Sequence, residues 1–354
     1  MQDGPVLTRV TEPVDHGEGP HWDPTEKVLY YVDISGQALH RYDPAIKTDI
    51  SLKFDKPVAL VVPMRGQRQT CSSGGAYERT EVKVYKPVAL VVPMRGQRYK
   101  FVAGLGRDLV MLTWEWDTGV HYHTTINTVD QHEPMNRLND GKADANGRMW
   151  AGTIGFEKPV GSVLPDRGTL YRLDNDPSKP CVADVEIRPV TISNGLTWSL
   201  DNKILYYIDT PTRRVDAFDY DLENGTLSHR RTVFSLGAVT GNPDGMTIDA
   251  DGNLWIACWG GSQIIRVDPK TGALLRMIKI PVTRVTSVTW GGPMLDTLYV
   301  TTMRLGLSDS QLVDEPHAGA VWEVRNLKAI GTAQHTAVVT CKCNTTLPST
   351  STLP

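Results

Sequence analysis

Short apolar and aromatic runs, each opened by an acidic or Asn/Gly turn, recur from one end of the chain to the other. One family of runs is a turn followed by an aromatic strand: Asp23 to Asp33 (DPTEKVLYYVD), Asp144 to Thr153 (DANGRMWAGT), Asp201 to Asp209 (DNKILYYID), Asp249 to Ala257 (DADGNLWIA) and Leu295 to Thr301 (LDTLYVT). Asp-Gly and Asn-Gly supply the positive φ of tight hairpin turns, and the β-branched and aromatic residues that follow suit a pleated strand. A second family is a strand ending in an acid, at Asp43, Asp117, Asp174, Asp221 and Asp268; a sixth, VWEVR ending at Arg325, lacks the acid. Successive anchors are separated by 74, 57, 47, 47 and 57 residues. A period of about 40–50 residues made only of short strands marks the four-stranded blade of a propeller. The spacing predicts an all-β chain in one domain, residues 1–339, folded as a six-bladed β-propeller.

The long first gap has a visible origin. The thirteen residues from Lys56 to Arg68 recur without change from Lys86 to Arg98, an offset of 30 that returns the gap to 44. Blades of this chain share pattern and not identity, so the repeat predicts an insertion at 69–98 that loops out of the second blade. Loop-closure entropy grows slowly with length, so a propeller tolerates it. The Ser/Thr/Pro-rich end, 340–354, is expected to be disordered.

Composition narrows the function. The chain is 40% hydrophobic and 22% charged with a formal net charge of -3, which favours neither nucleic acid nor an anionic membrane surface. No run approaches the roughly 18 apolar residues of a membrane span, and MQDGPVLTRVTEP has no secretory pattern. Cys71, Cys181, Cys258, Cys341 and Cys343 share no metal-binding spacing, and reduced thiols are expected. The expectation is a cytoplasmic monomer. Trp22, Trp150, Trp198 and Trp255 recur at strand positions and read as core between blades.

Candidate chemistry lies where polar residues interrupt the strand pattern near the predicted axis. Four segments do so: GEGPHW at 17–22, NRLNDGK at 136–142, SNGL at 193–196 and NPDGM at 242–246. Each sets a carboxylate or amide beside Gly or Pro ahead of a strand. Taken singly, Glu-Gly, Asn-Gly and Asp-Gly are ordinary turn dipeptides. His21 reads as a packing histidine, Asp140 as a hydrogen-bonding neighbour, Lys142 as solvent-facing, and the EF-hand-like start at Asp249 as a hairpin turn. No serine-hydrolase elbow or phosphate-binding loop occurs.

The tokens GEGPHW, NRLNDGKAD, ISNGLTWS, YYID, VDAFDYD, PDGMTIDADGNLWIAC and SVTWGG occur together and in order. With them the chain resembles the regucalcin family, also called the senescence-marker-protein or gluconolactonase family, from about Val6 to Ile330 outside the insertion. The resemblance implies a six-bladed propeller with a central metal site: a divalent cation (Ca²⁺, Zn²⁺, Mg²⁺ or Mn²⁺) on Glu18, Asn194 and Asp244. It places Arg137 and Asn139 on sugar hydroxyls and Glu157 against the substrate. Two carboxylates and an amide are hard oxygen ligands, and three protein ligands leave positions open. The implied activity is hydrolysis of a small-molecule sugar lactone such as glucono-1,5-lactone, with the cation polarising the carbonyl and Asp244 as general base. Two alternatives stand beside it: a calcium-binding regulator without catalysis, and a hydrolase of the luciferin-regenerating type, to which GEGPHW is similar.

Overall fold

The computed structural model describes residues 4–54, 91–93, 98–157 and 159–340. Their strands form six four-stranded antiparallel sheets, each a blade of a propeller. The innermost strands are Gly17–Asp23, Val91–Pro93, Arg137–Ala143, Ser193–Trp198, Asn242–Ile248 and Val285–Gly291, in blades one to six. Neighbouring inner strands pack around the axis. Blade six takes its outermost strand, Val6–Arg9, from the start of the chain, where it pairs with Trp322–Arg325 and closes the ring. Among the described residues the only α-helix is the short Asp309–Asp314, and no helix is long and apolar enough to cross a membrane.

Burial explains why the second strand of a blade reads as an unbroken apolar run. Val28–Asp33, Met149–Ile154 and Thr297–Thr302 are buried at every position, because both faces lie between blades. Outer strands such as Thr226–Ser235 are mostly exposed. Six hydrophobic clusters fill the six junctions between adjacent blades. The predicted tryptophans sit there: Trp22 stacks on Tyr299 between blades one and six, Trp150 meets Trp198 between three and four, and Trp255 meets Trp290 between five and six. The turn at Asp249 is a hairpin turn, as expected. Its carboxylate accepts from the backbone N–H of Asp251 (3.0 Å) and Asn253 (2.9 Å) and from the Trp255 indole (2.8 Å). Asp144 ties the corresponding turn of blade three to the Arg148 N–H (2.9 Å) and the Tyr220 hydroxyl (2.5 Å).

In blade two the inner strand Val91–Pro93 comes from the second copy of the repeat and pairs with Lys100–Leu105. Most of the expected insertion 69–98 lies outside the described residues, as do residues 341–354 of the expected disordered tail. One cysteine departs from expectation. Cys258 is free and buried, but Cys181 is disulfide-bonded. The cytoplasmic expectation, which leaned on reduced thiols, loses that support.

Candidate functional site

Four inner strands share a local irregularity. Register shifts occur between Glu18 and His21, Leu138 and Gly141, Ser193 and Leu196, and Pro243 and Met246. Such bulges re-aim side chains. In each bulge a polar residue precedes a glycine: Glu18-Gly19, Asp140-Gly141, Asn194-Gly195 and Asp244-Gly245. Close approach explains two of these glycines. A Cβ on Gly195 would lie 2.6 Å from the Asp244 carbonyl oxygen and 2.7 Å from the Met246 nitrogen, and one on Gly245 would lie 2.7 Å from Ser287 Cα. These dipeptides stand on strands where the next blade passes, so the turn reading does not apply to them.

All six residues singled out in the sequence, Glu18, Arg137, Asn139, Glu157, Asn194 and Asp244, line one cavity of about 100 Å³ at one end of the central channel. A continuous hydrogen-bond chain crosses it. The Arg137 guanidinium donates to Glu157 Oε2 (3.2 Å) and to Asn139 Oδ1 (2.6 Å). Asn139 Nδ2 donates to Asn194 Oδ1 (2.8 Å), and Asn194 Nδ2 donates to Thr210 Oγ1 (2.7 Å). Thr210 Oγ1 donates in turn to the Pro243 carbonyl (2.8 Å), next to Asp244. The amide of Asn194 is thus held with its oxygen towards Asn139. Glu157 is fixed further by the Gly161 N–H (2.7 Å), which brings the loop bearing Val160, Gly161 and Val163 to the rim of the cavity.

The electrostatics are those of acids crowded out of water. Burial raises Glu18 to about 8, with Asp140 adding to the shift and Arg137 opposing it. Burial, then Glu18 and Asp140, hold Asp244 well above the usual carboxylate range. Asp140 is raised to about 6 by burial, against the pull of Lys142. Glu157 behaves oppositely: burial works against its charge, but Arg137 and the Gly161 N–H outweigh it and hold it below its ordinary value. Arg137 is already committed to Glu157 and Asn139, so the Glu18–Asp244 side of the cavity lacks a compensating cation. Among the described residues no three His, Cys, Asp or Glu side chains form a metal cluster, so a cation here would need the Asn194 oxygen to complete its set. Two mutually repelling carboxylates and a fixed amide oxygen fit a hard divalent ion.

Other candidates fall elsewhere. His21 lies away from this cavity, as strand alternation predicts, and lines the opposite end of the channel. Lys142 does not face solvent: its ammonium donates to the Met246 carbonyl (2.5 Å) inside the channel, and burial lowers it to about 8. Sequence reasoning passed over His16, Thr210 and Trp259, which line the cavity. Burial, aided by Arg137, lowers His16 to about 4, so its imidazole is neutral. His16 stands just before Gly17-Glu18, a proximity that could have drawn attention to it; Trp259 had no such signal.

A six-bladed propeller with an oxygen-rich well at one end of its axis defines the class of protein. The family model described as "SMP-30/Gluconolactonase/LRE-like region" matches residues 16–304, and the chain belongs to that family. Regucalcin from Xenopus laevis is 37% identical over 324 residues, covering 92% of this chain and 95% of that protein. Human regucalcin is 37% identical over 319 residues, covering 90% and 93%. Among solved structures, a luciferin-regenerating enzyme aligns with a TM-score of 0.80 and 34% identity over 95% of this chain and all of that one. A calcium-binding regucalcin from Agrobacterium tumefaciens aligns with a TM-score of 0.74 over 94% of this chain and 96% of its own, at 21% identity, a likeness of fold alone.

Proposed function

We propose that this protein hydrolyses sugar lactones with the help of one divalent cation. The observation that carries the reading is the hydrogen-bond chain from Glu157 through Arg137 and Asn139 to Asn194, which joins the substrate-binding set to the cation-binding set in one cavity. Glu18, Asn194 and Asp244 would hold the cation, whose chemistry is to polarise the lactone carbonyl as a Lewis acid. Arg137 donates to sugar hydroxyls, and Asn139 Oδ1, whose own amide N–H groups are taken by the Ser193 carbonyl and Asn194, accepts from them together with the ionised Glu157. Asp244 takes the proton of the attacking water. Val160 and Val163, on the rim, shield the reacting ester from bulk solvent. Family membership supports lactone chemistry, and the two crowded carboxylates beside a fixed amide oxygen support a cation.

The luciferin-regenerating neighbour favours a second reading, a non-sugar substrate lying against the apolar wall of Trp259, Met303 and Ile154. The polar chain of Arg137, Asn139 and Glu157 argues for a polyhydroxylated one. Asp244→Ala discriminates a catalytic role from a structural one: lactone hydrolysis is lost while the circular dichroism spectrum stays native. Full activity in a cation-loaded Asp244→Ala protein removes Asp244 from the mechanism.

A further inference from the structure

The other end of the channel is built from different chemistry. The polar walls of a second cavity, of about 130 Å³, include His21 from blade one, Lys142 from blade three, Thr197 and Trp198 from blade four and Thr247 from blade five. Its floor is a strap that follows the last strand. The strap is pinned by Ala250 N–H to the Ile330 carbonyl (2.8 Å), by Gly331 N–H to the Leu295 carbonyl (2.7 Å) and by Val338 N–H to the Gly147 carbonyl (2.8 Å). It brings Gln334 and His335 under the channel, and the Trp22 N–H donates to Gln334 Oε1 (3.3 Å).

Three features of this cavity point to one kind of ligand. Its lining is rich in donors and, among the described residues, contains no Asp or Glu. The acid that acts on Lys142, Asp140, is not part of the lining. Two buried side chains of the lining carry ring nitrogens without a hydrogen-bond partner: His21 Nε2, on a residue 2% exposed, and Trp198 Nε1, on a residue 5% exposed. An indole nitrogen can only donate, and an ammonium bonded once has two further N–H groups. Unsatisfied buried donors cost free energy that an acceptor-rich guest recovers. The Lys142 ammonium bears on His21 with positive charge, which a guest anion would offset.

We propose that this lower cavity binds a small oxyanion, a phosphate or carboxylate group, held by the Lys142 ammonium, the Trp198 indole N–H and the His21 imidazole. The site is separate from the lactone cavity and its occupation does not depend on the proposed hydrolysis.

Isothermal titration of inorganic phosphate, and separately of acetate, into the full chain at constant ionic strength tests this. Saturable binding of at least one is expected, and which one binds tells phosphate from carboxylate. Lys142→Met, which keeps the stem and removes the charge, should weaken it at least about tenfold, and Trp198→Phe, which keeps a ring and removes the donor, by about three- to tenfold. If Lys142→Met does not fold, Trp198→Phe decides alone. Absence of saturable binding by both anions overturns the proposal, and so does binding that every folded variant retains at full strength.

Discussion

Gly195→Ala isolates the reason the site's glycines are there. The new methyl would stand 2.6 Å from the Asp244 carbonyl oxygen and 2.7 Å from both Met246 N and Met246 Cβ on the adjacent inner strand. Two of these atoms are backbone, so relief requires the blade-four and blade-five inner strands to part. Overpacking of a tight site costs about 1–3 kcal/mol, and contacts with backbone belong at the upper end. At about 1–2 °C per kcal/mol for a single domain of 354 residues, the melting temperature should fall by about 3–6 °C. The displacement also separates Asn194 from Asp244, so calcium affinity measured by titration should drop at least about tenfold, a loss of about 1.4 kcal/mol. Gly119→Ala is the control: its φ of 78° is positive but nothing lies near its Cβ, so only backbone strain of about 1–2 kcal/mol applies and cation binding is untouched. A Gly195→Ala protein that melts within about 1 °C of the parent and binds calcium equally well would refute the close-packing argument.

Two further outcomes follow from the same geometry. In cation-free buffer, stability should fall as pH rises from 6.5 to 8. Across this window His16, His21 and Lys142, all lowered on folding, pull the other way by about 1 kcal/mol together, but Glu18, which titrates near 4.5 unfolded and near 8 folded, outweighs them, with the raised Asp244 acting in the same sense. The folded state therefore holds the extra proton across this window, and Glu18 alone removes about 2 kcal/mol, read by urea denaturation in the presence of chelator. Glu18→Gln should flatten the dependence; a metal-free parent that gains stability over this range contradicts the charge reading. Glu157→Ala should lower kcat/KM for glucono-1,5-lactone about 10- to 100-fold through loss of a charged hydrogen bond, with calcium affinity changed less than about threefold. Equal loss of calcium binding would move Glu157 from the substrate to the cation.

The blade count was legible because each blade repeats one physical problem. A strand buried on both faces needs a continuous apolar run, as in Leu-Tyr-Tyr at 29–31 and 205–207, and each run needs a turn before it. The ring closure was not legible, since Val6–Arg9 is too short and too ordinary to announce that it pairs with Trp322–Arg325. The candidate site was readable where a polar residue and a glycine interrupt an inner strand, at Glu18, Asn194 and Asp244. What those glycines do was not readable, because Asn-Gly and Asp-Gly look the same in a bulge as in a turn. Lys142 was misplaced for a related reason: strand alternation assigns a face, but only closure of the ring makes that face the wall of a channel. Thr210 and Trp259 reach the cavity from segments following the second strands of blades four and five or ending them, with no local pattern to mark them.

Lactone hydrolysis measured before chelation, after it, and after adding back Ca²⁺, Zn²⁺, Mg²⁺ and Mn²⁺ singly tests the central claim most directly. Glucono-1,5-lactone turnover should vanish with the cation removed and return with at least one of the four, in the parent but not in Asp244→Ala. Turnover that persists undiminished in fully cation-free protein, or that no cation elicits from folded protein, contradicts it.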